Sequence, residues 1–229
     1  MDVAQLPIYR SSRHKSFYSF VPDPERIHDV PEVSNFSLNG NGKVTATLKD
    51  GQILTDIDVV VSATGYRYTV PSLRLPSLDN PAEEEDVTTE DGRRMRGLYR
   101  HLFHARFPTL AFAGFAITWT PLSMYEAQAA VIARTFSGRL SLPSTEEMQL
   151  DEGRCIKQVG DHYKFHVMPL YPGGDPGYGN ELREWALRAK DPERGTVGVF
   201  WDERRKWLLA NNVRLKTLQM FRDCGLAPQ

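Results

Sequence analysis

The stretch Asp56-Ile57-Asp58-Val59-Val60-Val61-Ser62-Ala63-Thr64-Gly65-Tyr66 constrains the fold of this chain more than any other. Apolar residues at 57, 59, 60 and 61 do not alternate with polar ones. That pattern predicts a strand over 57–63 covered on both faces, as in a parallel sheet. The run ends in a small residue, a hydroxyl, a glycine and an aromatic. Ligands of open α/β sheets sit beyond the carboxyl ends of the strands, and small residues there admit a close backbone approach. The plain alternative is a buried strand that needs a glycine turn.

The neighbouring sequence extends the reading. A short apolar stretch, Leu6–Tyr9, predicts a strand, and Arg10–Lys15 after it is polar. Asn39-Gly40-Asn41-Gly42 and Asp50-Gly51 are turn sequences that tolerate positive φ. Between them Val44, Ala46 and Leu48 alternate with polar residues, as in a half-exposed strand. A β-meander follows from this spacing. Residues 71–97 read as loop, with the acidic run Glu83–Asp86 as a solvated linker. Phe107–Phe115 predicts a second buried strand ending at Gly114. A helix then runs over 121–137, with Thr120 at its N-cap, Pro121 in its first position and Gly138 just past its end. Leu122, Ala129, Ile132 and Phe136 form its apolar stripe. Further on, 169–180 reads as a Gly/Pro/Tyr-rich loop and helices are expected near 181–190 and 202–225.

Charge and composition exclude several classes. Lys and Arg total 28 against 29 Asp and Glu, so neither a nucleic acid nor an anionic membrane surface is an expected partner. No apolar run is long enough to span a bilayer. Cys155 and Cys224 lie in no metal-ligand spacing, and the six histidines form none either, so no metal is expected. His101 and His104, three apart, read as surface or core residues. Two lone cysteines fit a reduced, cytoplasmic protein.

Four blocks in order carry a family resemblance. Ala63-Thr64-Gly65-Tyr66 ends the first buried run. Leu98-Tyr99-Arg100-His101-Leu102-Phe103-His104 leads into Pro108-Thr109-Leu110-Ala111-Phe112-Ala113-Gly114. Pro121–Ser144 follows, with Glu126, Gln128 and the Leu142-Pro143-Ser144 ending. Tyr9-Arg10-Ser11-Ser12-Arg13 precedes them all. Together, over roughly residues 6–150, they resemble the C-terminal half of the flavin-containing monooxygenases, two-dinucleotide-fold enzymes that oxygenate nitrogen and sulfur centres. Met124-Tyr125 ahead of Glu126 departs from the pattern.

The resemblance implies an α/β fold: a partial Rossmann-like, two-dinucleotide-binding flavoprotein with a β-meander and a helical C-terminal extension. Residues 1–66 would be the remnant of an NADPH-binding domain, 67–143 the C-terminal part of an FAD-binding domain and 144–229 the extension. It implies FAD and NADPH as cofactors and a small amine or sulfur substrate. The flavin, reduced by NADPH, would bind oxygen at carbon 4a, and the hydroperoxide would oxygenate the substrate. The two Gly-rich pyrophosphate loops of the family have no counterpart, since Leu38–Val44 has the glycines of a hairpin. The chain is therefore expected to be a C-terminal portion, inactive alone, with a further chain as a candidate supplier of the rest. Two other readings stay open: a non-catalytic remnant that binds a partner, and a portion of a Baeyer–Villiger or N-hydroxylating monooxygenase.

By the same resemblance Arg13, with Ser11 and Ser12, would grip the 2′-phosphate of NADPH, a task suited to a guanidinium fork flanked by hydroxyls. A solvated basic turn is the alternative. Thr64 and Gly65 would lie where the two domains hinge, or form a mere tight turn. Gly114 would let the chain pass close to the isoalloxazine. The helix that starts at Pro121 would direct free N–H groups at the flavin's pyrimidine edge; ordinary strand–helix packing is the alternative. Glu126 and Gln128 match family positions and could equally pack or cap. No catalytic acid, base or nucleophile stands out.

Overall fold

A computed structural model describes residues 6–12, 26–77, 80 and 82–223. The chain divides into two compact units, 1–65 with 210–229, and 66–209.

In the first unit, β1 (Ile8–Ser11) pairs in parallel with β2 (Ile27–Val30). A meander is present as β3 (Val33–Leu38), β4 (Val44–Leu48) and β5 (Ile53–Ile57), antiparallel in sequence order, and it is closed by β5 rather than by the strand expected over 57–63. Local chemistry makes its turns. Asn39 Oδ1 accepts the amides of Asn41 and Lys43, Asp50 Oδ1 accepts that of Gln52, and Gly42 and Gly51 take positive φ. Ala46, Leu48 and Leu54 are buried against Val30, Val33 and Ile57.

The strand expected over 57–63 is overturned. β5 stops at Ile57, and 58–63 belong to no strand or helix. Val59 and Val61 are 72% and 82% exposed. An apolar run becomes a buried strand only if neighbouring strands and a covering layer take up its faces, and no described strand pairs with 58–63. Asp56, at φ +61°, sits beside a register shift between β4 and β5, where the pairing ends.

The second unit contains β6 (Arg74–Pro76) paired with β7 (Glu84–Asp86), and β8 (Leu98–Tyr99) paired with β9 (Phe103–His104). Three of the four residues of the acidic run are thus strand, held by an Arg74–Asp86 ion pair and by Arg106 on Glu85 at 2.7 Å. The strand expected over 107–115 is likewise overturned. Residues 107–110 turn back, and only Ala111 bridges to Phe103. The apolar side chains Leu110, Phe112 and Phe115 instead surround Leu75, Val87, Met95 and Leu98.

Helix α1 (Pro121–Phe136) ends as expected, with Gly138 at φ +71°. Its buried face is not the expected one. Met124, Ala127, Gln128, Ala130, Val131 and Arg134 are buried, while Leu122 is 85% exposed and Phe136 also faces out. Small residues on the buried face let α1 pack against α3 (Gly174–Ala186), and they close over Phe103, Met168 and Leu182. Helix α3 starts well inside the stretch expected as loop. Helix α2 (Thr145–Val159), not anticipated from periodicity, has a capping box in which Ser144 accepts from the Glu147 amide and Glu147 accepts from that of Ser144. Helix α4 (Glu203–Asp223) matches its expected position. Among the described residues no helix is long and apolar enough to cross a membrane.

Candidate functional site

Residues 114–120, between the Ala111 bridge and α1, are held at nearly every position. The Gly114 amide donates to Gln128 Oε1 at 2.9 Å. The Phe115 carbonyl accepts from the Tyr68 hydroxyl at 3.1 Å. Ile117 makes two backbone bonds, donating to the His166 carbonyl at 2.8 Å and accepting from Met168 at 2.9 Å. Asp175 Oδ2 accepts from the amides of Trp119 at 2.6 Å and Thr120 at 3.1 Å, from the Thr120 hydroxyl at 3.2 Å and from that of Thr118.

The two clamping side chains are buried, Gln128 completely and Asp175 all but 1%. Gln128 is fixed in turn, because its Nε2 donates to the Tyr178 hydroxyl, which donates to the Arg100 carbonyl. Asp175 stands in the first turn of α3 and immediately ahead of the first turn of α1. Two helix N-termini and four donors therefore stabilise a buried carboxylate to which no described cation is paired. Its other oxygen, Oδ1, is buried with no hydrogen-bond partner among the described residues.

The outer side of this rigid segment is apolar. Ile117 and Trp119 are each about half exposed (52% and 51%), and Leu122 follows at the start of α1. A backbone fixed in this way presents the exposed apolar side chains as a platform, a candidate binding surface. Thr120 does occupy the N-cap position, yet its side chain caps no helical amide and binds Asp175 instead. The amides of Leu122 and Ser123 have no acceptor among the described residues.

The residues singled out in the sequence fall into both units. Gly114 and Pro121 flank the platform. At φ +79° Gly114 needs glycine for its backbone, and a Cβ there would make only ordinary contact with Tyr125 at 3.6 Å. Glu126 is exposed on α1. Ser11 and Ser12 lie in the first unit, and the Ser11 hydroxyl is committed to the backbone, donating to the Pro31 carbonyl at 2.9 Å and accepting from Val33. Arg13 lies outside the described residues. Arg10 pairs with Asp29 through two bonds of 2.6 and 2.8 Å. Thr64 and Gly65 are exposed in the first unit, with Gly65 at φ +87° and open space around it.

A buried histidine pair beneath the platform had no sequence signal of its own. His101 Nδ1 and His166 Nδ1 are 3.0 Å apart, and His166 Nε2 accepts the Met95 amide at 3.0 Å. The His166 proton therefore sits on Nδ1 and points at an unprotonated His101 Nδ1. Phe115, Phe165 and Tyr171 pack their rings around the pair. Burial pushes both imidazoles down, His101 to about 4 and His166 to about 2. His104 is buried and pushed down too, chiefly by desolvation. Burial also raises the Cys155 thiol to about 11. Among the described residues no cluster could hold a metal ion.

The sequence profile described as flavin-binding monooxygenase-like matches residues 33–168, from β3 through the platform to Met168. A flavin-containing monooxygenase of Aspergillus flavus, ustF2, is 28% identical over 195 residues, covering 78% of this chain and 38% of that protein. A thiol-specific monooxygenase of Saccharomyces cerevisiae is 31% identical over 167 residues, covering 70% of this chain and 34% of that protein. In the fold, the crystal structure of Tmm from a Pelagibacter strain overlaps 81% of this chain and 37% of that one, with TM-score 0.54 at 19% identity. The chain thus spans a little over a third of each of these three proteins. Its profile match covers more than half of its length, and the chain belongs to the flavin-binding monooxygenase-like family.

Proposed function

We propose that the chain forms part of an FAD- and NADPH-dependent monooxygenase and contributes the surface on which the flavin ring rests. The observation that carries this is the clamped 114–120 segment, rigid in its backbone and apolar outside, within the family-matched region. The residues fit the ring end of a flavin. Ile117, Trp119 and Leu122 offer apolar contact, and the amides of Leu122 and Ser123 offer donors at a helix N-terminus to an electron-rich edge. They do not supply a cradle for its pyrophosphate, because no Gly-rich strand-to-helix loop is present among the described residues. The bound flavin would supply the redox and oxygen chemistry, with an amine or sulfur compound as substrate. This chain's residues would position the ring and exclude water. Arg13 and Ser12 remain the candidates for the 2′-phosphate of NADPH, within a Rossmann-like remnant that includes the parallel β1–β2 pair.

A second reading, a non-catalytic partner-binding chain, is favoured by one observation. Residues 58–63 expose a β-branched run that a neighbouring strand could take up. In the first reading that neighbour is the dinucleotide-binding half of the enzyme, in the same polypeptide or another.

The test co-expresses the chain with the part of the Aspergillus relative that this chain does not match. A yellow complex through gel filtration, oxidising NADPH and oxygenating a tertiary amine or a thiol, is expected. Trp119→Ala should weaken its flavin. The chain purified alone should retain none. A complex without flavin, or flavin indifferent to Trp119→Ala, would overturn the proposal.

A further inference from the structure

We infer that Asp175 and Gln128 are positioning residues, which hold the 114–120 segment in the shape that receives the flavin; this rests on the functional reading above. Three facts point to them rather than to ordinary packing. Both are polar, essentially fully buried, and directed at the backbone of one short segment, whereas Arg134, the other buried polar residue of α1, binds the carbonyls of residues 192–196. They grip its two ends, Gln128 at Gly114 and Asp175 at Thr118–Thr120, while the backbone bonds of Ile117 hold its middle. And the grip is costly. One oxygen of this buried carboxylate has no donor among the described residues, so the four bonds to the other must offset its desolvation.

The division of labour follows from the donors. Asp175 turns the amides of Trp119 and Thr120 inward, which leaves the side chains of Ile117 and Trp119 facing out. It stops short of the helix itself, so the Leu122 and Ser123 amides stay available. Gln128 reads Gly114 through its carbonyl and Tyr178 through its amide. A Glu in its place would keep the first bond and set a carboxylate oxygen against a hydroxyl whose proton already goes to Arg100. Loosening either grip would let the platform sample other shapes, and a binding surface that must first be ordered binds more weakly.

Amide hydrogen exchange of the whole chain, resolved by NMR, tests the clamp with no cofactor present. In Asp175→Ala the Trp119 and Thr120 amides should exchange roughly 10- to 150-fold faster, the range for a lost hydrogen bond to a charged acceptor. Asp175→Asn should fall between, and Gln128→Leu should speed Gly114. Amides of α2 should not change. Unchanged platform amides, or equal acceleration throughout α2, would overturn the assignment. In the flavin-loaded complex, Asp175→Asn and Gln128→Leu should weaken FAD at least about tenfold and shift its visible absorption band. If these variants leave the flavin unaffected while Trp119→Ala releases it, the positioning role falls and the platform stands. If all three are silent, the functional reading falls with it.

Discussion

Acidification should unfold the unit of residues 66–209 through one histidine pair, and replacing His101 by Asn should remove much of that sensitivity. His101 is buried among Phe165, Tyr171 and Tyr178, and desolvation holds it near pKa 4, against a partial opposing pull from Asp151. Arg100 and Arg94 push the same way as burial. The unfolded chain titrates near 6.5. Below that value the unfolded state binds the proton and the folded state does not, so stability is complete above about pH 6.5 and falls as the pH drops toward 4. For His101 alone the loss is about 2 kcal/mol at pH 5 and about 3 at pH 4. His166, also pushed down, adds loss in the same direction. Asn is the informative replacement. Its Oδ1 can accept from His166 Nδ1–H as His101 Nδ1 does, it carries no titrating proton, and it tolerates the φ of +54° found at this position. Trp119, Trp185, Trp201 and Trp207, the chain's only tryptophans, all lie in residues 66–209, so urea unfolding followed by their fluorescence reports this unit. Wild type should lose about 2 kcal/mol more than His101→Asn between pH 7.5 and pH 5. Stability curves that stay parallel over that interval would refute the buried neutral pair.

Other perturbations give distinct outcomes. Ser144→Ala removes the capping box of α2 and should cost about 1 kcal/mol in urea unfolding at pH 7.5, with Ser144→Asp restoring most of it. Gly114→Ala meets no steric obstacle, so it should cost only the positive-φ strain, about 1–2 kcal/mol, and leave far-UV circular dichroism unchanged. In a flavin-loaded protein containing this chain, Arg13→Ala should weaken NADPH roughly 10- to 150-fold with little effect on NADH, measured by flavin reduction against cofactor concentration. Equal losses for both would place Arg13 in the fold or at the shared adenosine.

Features that depend on a few adjacent residues were legible in the sequence. Asn39–Gly42 and Asp50–Gly51 make their turns with their own side chains and glycines, so the meander could be read directly. Pro121 and Gly138 bracket α1 because one lacks an amide that a helix start does not use and the other relieves the left-handed step at its end. The Ser144-x-x-Glu147 signal for α2 was equally local, but no strong apolar stripe drew attention to it. Features that depend on what packs opposite were not legible. Val59–Val61 has the composition of a buried strand and is exposed, because burial belongs to the neighbours and not to the run. The apolar residues of α1 nearly encircle it, so only its packing against α3 decided that Met124, Ala127 and Val131 face inward and Leu122 outward. Gln128 stood out in the sequence without a partner. Asp175 did not stand out at all, because the amides it holds lie more than fifty positions away. His101 and His166, 65 residues apart, meet only in the folded chain. A local pattern can specify a turn or a cap, whereas a clamp or a buried polar pair exists only once tertiary packing has brought its two halves within hydrogen-bonding distance and excluded the water that would otherwise compete.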